Sequence, residues 1–264
     1  MKKLIYLFIL FIIFTSCEDV IDVELNESEP RLVIEANLDL LENGNSITKV
    51  RLTLSAPFYE NEIPIVSDAT IIIRENDLIH SLEYVEDGYY TGNFDFNYNI
   101  DYTLEVIYKG ELYTATQELI SVTPIDYIEQ INDGGINGDE IELKVFFTDP
   151  SNEDNYYLFE GNSEKGKIQD SFSDEFFDGN QVFGLYAVEE LEIGDNVQIR
   201  LYGVDNQFYN FMSLLLQQNN SDGGPFETQP ATVRGNIINL DNPDNYPFGY
   251  FRISNVYRES YTIE

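Results

Sequence analysis

One histidine and one cysteine stand against 48 aspartates and glutamates in this 264-residue chain, and that balance limits the chemistry open to it. Acyl transfer by a Ser-His-Asp or Cys-His set needs a histidine base beside its nucleophile. His80 lies in a segment that reads as a strand or its edge, so no catalytic residue is assigned. A zinc site typically takes three or four ligands drawn largely from His and Cys, which His80 and Cys17 do not supply. Carboxylates are the remaining resource. Hard oxygen ligands of the kind calcium takes are dense in DPSNEDN (149–155) and DNPDN (241–245), making Asp149, Asp154, Asp241 and Asp244 candidate calcium ligands. Neither run has the twelve-residue EF-hand spacing, and Asp, Asn and Pro form turns for reasons of their own. Glycoside hydrolysis needs two carboxylates at a set separation in a cleft, a relation that spacing along the chain does not reveal. With tryptophan absent, a sugar platform would use the 19 tyrosines and 18 phenylalanines. Successive strand side chains point to opposite faces, so Gly88-Tyr89-Tyr90 and Asn155-Tyr156-Tyr157 each turn one ring away from the core; Tyr90 and Tyr157 are the candidate ligand-binding residues. Gly134-Gly135 and Gly223-Gly224 lack the lysine and strand-to-helix context of a phosphate loop.

Cys17 carries the most specific signal. Lys2 and Lys3 precede an unbroken apolar run of 11 residues, Leu4 to Phe14, and Thr15-Ser16 place small side chains before the thiol. This is the pattern of a secretory signal peptide; it is too short for a spanning helix, which needs roughly 20 apolar residues. Phe14-Thr15-Ser16-Cys17 resembles a bacterial lipobox, in which the cysteine is lipidated and becomes the first residue of the mature chain. Removing residues 1–16 takes away two lysines and no acids, leaving 12 Lys and Arg against 48 acids, a formal charge of 12 − 48 = −36. Such a surface repels phosphate backbones, which excludes nucleic acid as an expected partner. It also repels anionic headgroups, so membrane attachment is expected through the lipid on Cys17 alone, with each buried methylene contributing about 0.8 kcal/mol. No other cofactor is expected, calcium at the acidic runs apart.

These groups need a scaffold. Apolar residues make up 43% of the chain and aromatics 14%, enough for a packed core despite the charge. Residues 17–29 form an acidic tether. From residue 30 onward short alternating segments follow, as at 48–54, where Val50, Leu52 and Leu54 share one face. Other strands are expected at 31–36, 69–74, 80–85, 102–108, 112–118, 128–131, 140–148, 155–162, 181–187, 197–204, 231–239 and 249–257. Asn43-Gly44, Asp87-Gly88 and Lys109-Gly110 mark turns. One helix is expected near 205–219, with Asp205 as its cap and Phe208, Phe211, Met212 and Leu215 on one stripe. The expected fold is mainly β: an immunoglobulin-like or transthyretin-like antiparallel β-sandwich over 30–123, then a second β-rich domain over 124–264 carrying the helix.

The stretches CEDVIDVELNESEPRLVIEA, TDPSNEDNYYLFE and VRGNIINLDNPDNYPFGYFRISNV together resemble a domain-of-unknown-function lipoprotein family of Bacteroidota. The likeness spans the mature chain and is most specific at Asp149-Pro150, Asn155-Tyr156-Tyr157, Gly235-Asn236-Ile237 and Gly249-Tyr250-Phe251. It implies an outer-membrane lipoprotein, often encoded near TonB-dependent receptors, with a β-sandwich front domain and no catalytic residues to carry over. Glu18, Asp19 and Asp22, directly after the cysteine, are similar to export signals that send such lipoproteins to the outer face of the cell. The expected function is a non-catalytic binding or accessory component with an outer-membrane protein as partner. A surface glycan-binding or glycan-cleaving protein is the alternative.

Overall fold

The computed structural model describes residues 29–56, 62–135, 138, 140–219 and 232–264. The leader 1–16, Cys17 and the acids Glu18, Asp19 and Asp22 lie outside the described residues. The chain runs β1 (Leu32–Leu41), β2 (Ser46–Leu54), β3 (Thr70–Glu75), β4 (Leu78–Tyr84), β5 (Tyr89–Gly92), β6 (Tyr102–Tyr108) and β7 (Glu111–Gln117). It continues through β8 (Ile125–Gly134), β9 (Glu140–Thr148), β10 (Tyr156–Asn162), β11 (Lys167–Ser173), β12 (Gln181–Ala187) and β13 (Asn196–Val204). Helix α1 (Asn206–Asn219), β14 (Ile238–Asn239) and β15 (Phe248–Thr262) complete it.

Two β-sandwiches result. In the first, β15, β1, β2 and β5 face β3, β6, β7 and β14, and β4 pairs first with β3 and then, through Glu83 and Tyr84, with β5. Period-2 alternation does the work: Ile34, Ala36 and Leu38 of β1, Val50 and Leu52 of β2, and Tyr102, Leu104 and Val106 of β6 all turn inward and are buried. In the second sandwich β11, β10, β13 and the end of β15 face β12, β9 and β8. Leu143, Val145, Phe147, Phe159, Tyr186, Ile199 and Leu201 fill its core.

The expected antiparallel pattern holds for every strand pair among the described residues except one. β15 runs parallel to β1 over nine registered pairs, from Val33–Phe248 to Leu41–Val256. Its far end then pairs antiparallel with β13, from Tyr202–Val256 to Asn196–Thr262. Residues 237–256 thus return to the first sandwich, and the division expected at 124 marks the first crossing between the halves and misses the second. The strand expected over 231–239 shrinks to Ile238–Asn239. At Gly235 the backbone passes so close to β15 that a Cβ there would lie 1.7 Å from Gly249 O. Asn236 takes the place of a ladder: its side-chain Nδ2 donates to Phe251 O (2.8 Å) while Phe251 N–H donates to its Oδ1 (2.9 Å). Two strands were not expected. β5 is only four residues long, and β11 is a polar edge strand whose alternation is weak.

Helix α1 begins where expected. Asp205 Oδ1 accepts from Phe208 N–H at 2.6 Å, the N-cap bond that satisfies an otherwise unpaired helical donor. Phe208 and Phe211 are buried against the Tyr250 ring, at 5.0 and 5.1 Å between centroids, and lie 6.2 Å from each other. They close a third apolar cluster with Leu41, Leu158, Tyr202, Val204 and Val256, located where the two sandwiches join.

Candidate functional site

The expected ligand-binding rings face inward. Tyr90 is 2% exposed; its hydroxyl donates to Val66 O and accepts from Ala69 N–H, both at 3.2 Å. Tyr157 is 2% exposed, with its hydroxyl donating to Asp149 Oδ1 at 2.5 Å. Alternation correctly sends one ring of each pair outward, but the outward members are Tyr89 and Tyr156, which are half-buried. Tyr89 lies beneath Lys49 (4.2 Å) and Arg51 (5.3 Å), and Tyr156 packs on Tyr209. A more exposed aromatic row crosses the outer face of the second sandwich, where Tyr127 and Phe183 flank Phe146 in register. Tyr127 and Phe146 are nearly parallel (17°) with centroids 4.6 Å apart, a stacked pair. Their facing surfaces cover each other, while Tyr127 and Phe183 keep part of their area exposed.

The calcium candidates separate. Asp241 Oδ2 accepts from Leu112 N–H at 2.7 Å, and Asn239 Oδ1 accepts from the backbone N–H groups of Asp241 and Asn242. The DNPDN run is therefore a turn that pins β14 beside β7; Asp244 is exposed and contributes a backbone carbonyl to Arg31. Asp149 instead joins Asp174 and Asp178, which follow β11, and one oxygen from each lies within 4.8 Å of the others. Asp154 is exposed and outside this group. Asp149 Oδ2 accepts from Gly179 N–H (2.9 Å), Asp174 Oδ2 from Asn155 N–H (2.7 Å) and Asp178 Oδ1 from Asn152 N–H (2.8 Å). Among the described residues, none of the ion pairs includes these three. Burial, then the Asp149 hydrogen bond and the charges of Asp149, Asp174 and Glu153, push the Tyr157 hydroxyl far above its ordinary range, so it stays a donor. Asp149 has both oxygens engaged, and among the described residues no hydrogen bond reaches Asp174 Oδ1 or Asp178 Oδ2. Calcium takes 6–8 oxygens, and most would have to come from water and carbonyls.

A cleft elsewhere in the molecule has a different character. A cleft of about 670 Å³ lies between α1 and the sheet formed by β10, β11, β15 and β1. Phe208, Phe211, Met212 and Leu215 form one wall, and Glu160, Lys167, Gln169 and Arg252 contribute polar groups. Glu160 Oε1 accepts from Gln169 Nε2 (2.5 Å) and Lys167 Nζ (3.1 Å), and Oε2 accepts from Tyr202 hydroxyl at 2.9 Å with Arg200 at 3.7 Å. Burial alone would raise the Glu160 carboxyl; the Lys167 charge, the Tyr202 hydrogen bond and Arg252 outweigh it and hold it below its ordinary range. Arg252 donates to Asp39 Oδ1 at 2.8 Å and lies 4.4 Å over the Tyr202 ring. Burial works against its charge, but Asp39 and its neighbours keep the guanidinium firmly protonated. Among the described lining residues Glu160, Lys167 and Arg252 are each paired within the protein, and the cleft has the size and mixed lining of a ligand site. Strand alternation conceals Glu160 and Lys167 among solvent-facing positions; Arg252, a charge inside the apolar run Tyr250 to Ile253, is the one sequence signal for this place.

Comparison with curated proteins finds no match. Among solved structures the chain is similar to a cytokine receptor complex, at 11% identity and a TM-score of 0.25, with 65% of this chain and 82% of that one covered. It is also similar to a two fibronectin type-III domain segment from chicken tenascin, at 12% identity and a TM-score of 0.21, covering 66% and 90%. Superpositions this loose leave the β-sandwich assignment to the strand pairings above. Residues 18–260 match a family described as a domain of unknown function (DUF4249), and the chain belongs to that family.

Proposed function

We propose that this protein is a lipid-anchored accessory component of the outer membrane, of the Bacteroidota lipoprotein kind, facing the cell exterior. Cys17 carries the acyl chains, and Glu18, Asp19 and Asp22 direct the protein outward. The folded body engages an outer-membrane protein, for which a TonB-dependent receptor is the leading choice. Catalysis forms no part of this reading. The observation that carries the binding role is the cleft under α1, whose volume and apolar wall, with the paired groups Glu160, Lys167 and Arg252 opposite, suit a bound partner or ligand. The leader and its Phe14-Thr15-Ser16-Cys17 segment support the anchor.

Two experiments test the two halves. Cys17→Ser should release the protein from the membrane fraction; material that stays in the pellet as before refutes the anchor. Pull-down of the intact lipidated protein from detergent-solubilised envelopes should recover a discrete outer-membrane protein. Recovery of none, with retention on an immobilised polysaccharide instead, would replace the accessory reading with a glycan-binding one.

A further inference from the structure

The C-terminal segment 237–263, built around β15, contributes to all three apolar clusters among the described residues. Ile237, Phe251 and Ile253 belong to the core of the first sandwich, Tyr250 and Val256 to the cluster beneath α1, and Ile263 to the core of the second. Residues Tyr250 to Val256 are buried throughout, on both faces of the strand. A strand covered on both sides belongs to the interior of a fold. On one flank β1 pairs along the first half of β15. On the other flank Asn236 bonds Phe251 at two points, and Ile120 bonds Ile253 O and Asn255 N–H (3.1 and 2.8 Å) before β13 takes over. Space at this seam is tight. A Cβ on Gly249, whose φ is +94°, would come within 2.1 Å of Ile34 O.

We infer that residues 232–264 are a keystone shared by both sandwiches, so that the two halves open and close as one cooperative unit and neither completes its core before the C-terminal strand docks. Without β15, β1 would present an unpaired edge and the first core would lack the buried side chains of Phe251 and Ile253. The β1–β15 pairing also joins segments more than 200 residues apart, the kind of contact that forms late because its loop-closure entropy is lost first. For a chain threaded unfolded across a membrane, such a fold stays open until its end has arrived; that consequence alone rests on the export reading of residues 1–16.

Hydrogen exchange on the full-length protein tests the coupling. Leu143 is fully buried in the second core, away from the seam, and Leu104 is fully buried in the first. Leu143→Ala should accelerate exchange of the most protected β9 amides by roughly 30- to 5,000-fold. The most protected amides of β6 in the other sandwich should accelerate by the same factor, and Leu104→Ala should do the reverse. If Leu143→Ala leaves too little folded protein, the same variant is measured at a lower temperature, where more of it is folded, and Leu104→Ala gives the reciprocal reading. Acceleration in the two sandwiches that agrees within threefold supports the keystone. A β6 response that lags β9 by more than threefold overturns it, because the sandwiches then unfold separately.

Discussion

Removing the carboxylate of Asp39 should be among the most damaging single changes at the seam. Arg252 is 8% exposed, and its guanidinium sits 2.8 Å from Asp39 Oδ1 over the ring of Tyr202. At that separation Coulomb attraction with an effective dielectric constant of 20 amounts to about 6 kcal/mol, an upper bound that the cost of desolvating both groups reduces. Asp39→Ala removes the attraction and leaves the desolvated cation behind, a change that costs about 3–5 kcal/mol. For a protein of this size each kcal/mol lowers the melting temperature by about 2–4 °C, so thermal denaturation followed by circular dichroism should shift down by about 6–20 °C. Replacing both partners separates the pair from the packing. Asp39→Leu with Arg252→Met leaves no buried charge and should recover more than half of the loss. An Asp39→Ala shift below about 2 °C, or a double variant no more stable than Asp39→Ala, would refute the claim that the pair holds a desolvated charge in place.

Four other outcomes are expected. Tyr157→Phe should cost about 1–3 kcal/mol in urea unfolding, because Asp149 loses a buried hydrogen-bond donor. Asp178→Asn keeps the acceptor for Asn152 N–H but removes one of three clustered charges, and should raise stability by about 1 kcal/mol in EDTA-containing buffer, read by the same unfolding curve. Burial and nearby carboxylates raise the hydroxyls of Tyr157 and Tyr250 above the ordinary value of 10.0. A raised folded value gives stability that is complete below pH 10 and lost as pH climbs through the folded values, so the share of tyrosinate absorbance that Tyr157→Phe and Tyr250→Phe remove should appear together with loss of circular dichroism; titration of that share with the fold intact would contradict this. Glu160 is held below its ordinary 4.5, so its contribution is present above that pH and lost as pH falls through the lower folded value; Glu160→Gln should flatten the acid limb of a stability–pH profile.

Much of the scaffold is legible in the sequence because half-buried strands impose a period of two. Residues 102–108, 140–148 and 181–187 are marked within a residue of their observed ends, and Asp205 announces α1 through its cap. What alternation does not encode is partner choice. The apolar residues of 249–257 identify a strand, yet nothing in them specifies parallel pairing with β1 across the whole chain. The site suffers from the same gap. Asp149 is a visible acid, but its neighbours Asp174 and Asp178 come from a loop 25 or more residues on, brought near by the β9–β10 and β11–β12 turns. Tyr90 and Tyr157 show the other failure: alternation splits a tyrosine pair between two faces but does not say which face is the core.

The parallel seam also determines how the molecule bears a mechanical load. A pull on the segment leading into β1, opposed by resistance at the far end of β15, draws the two neighbours past each other along their length. All nine rungs then resist in shear and must yield nearly together, whereas a hairpin peeled from one end gives way a rung at a time. Stretched between those points in a force spectrometer, the protein should hold to a single high rupture peak.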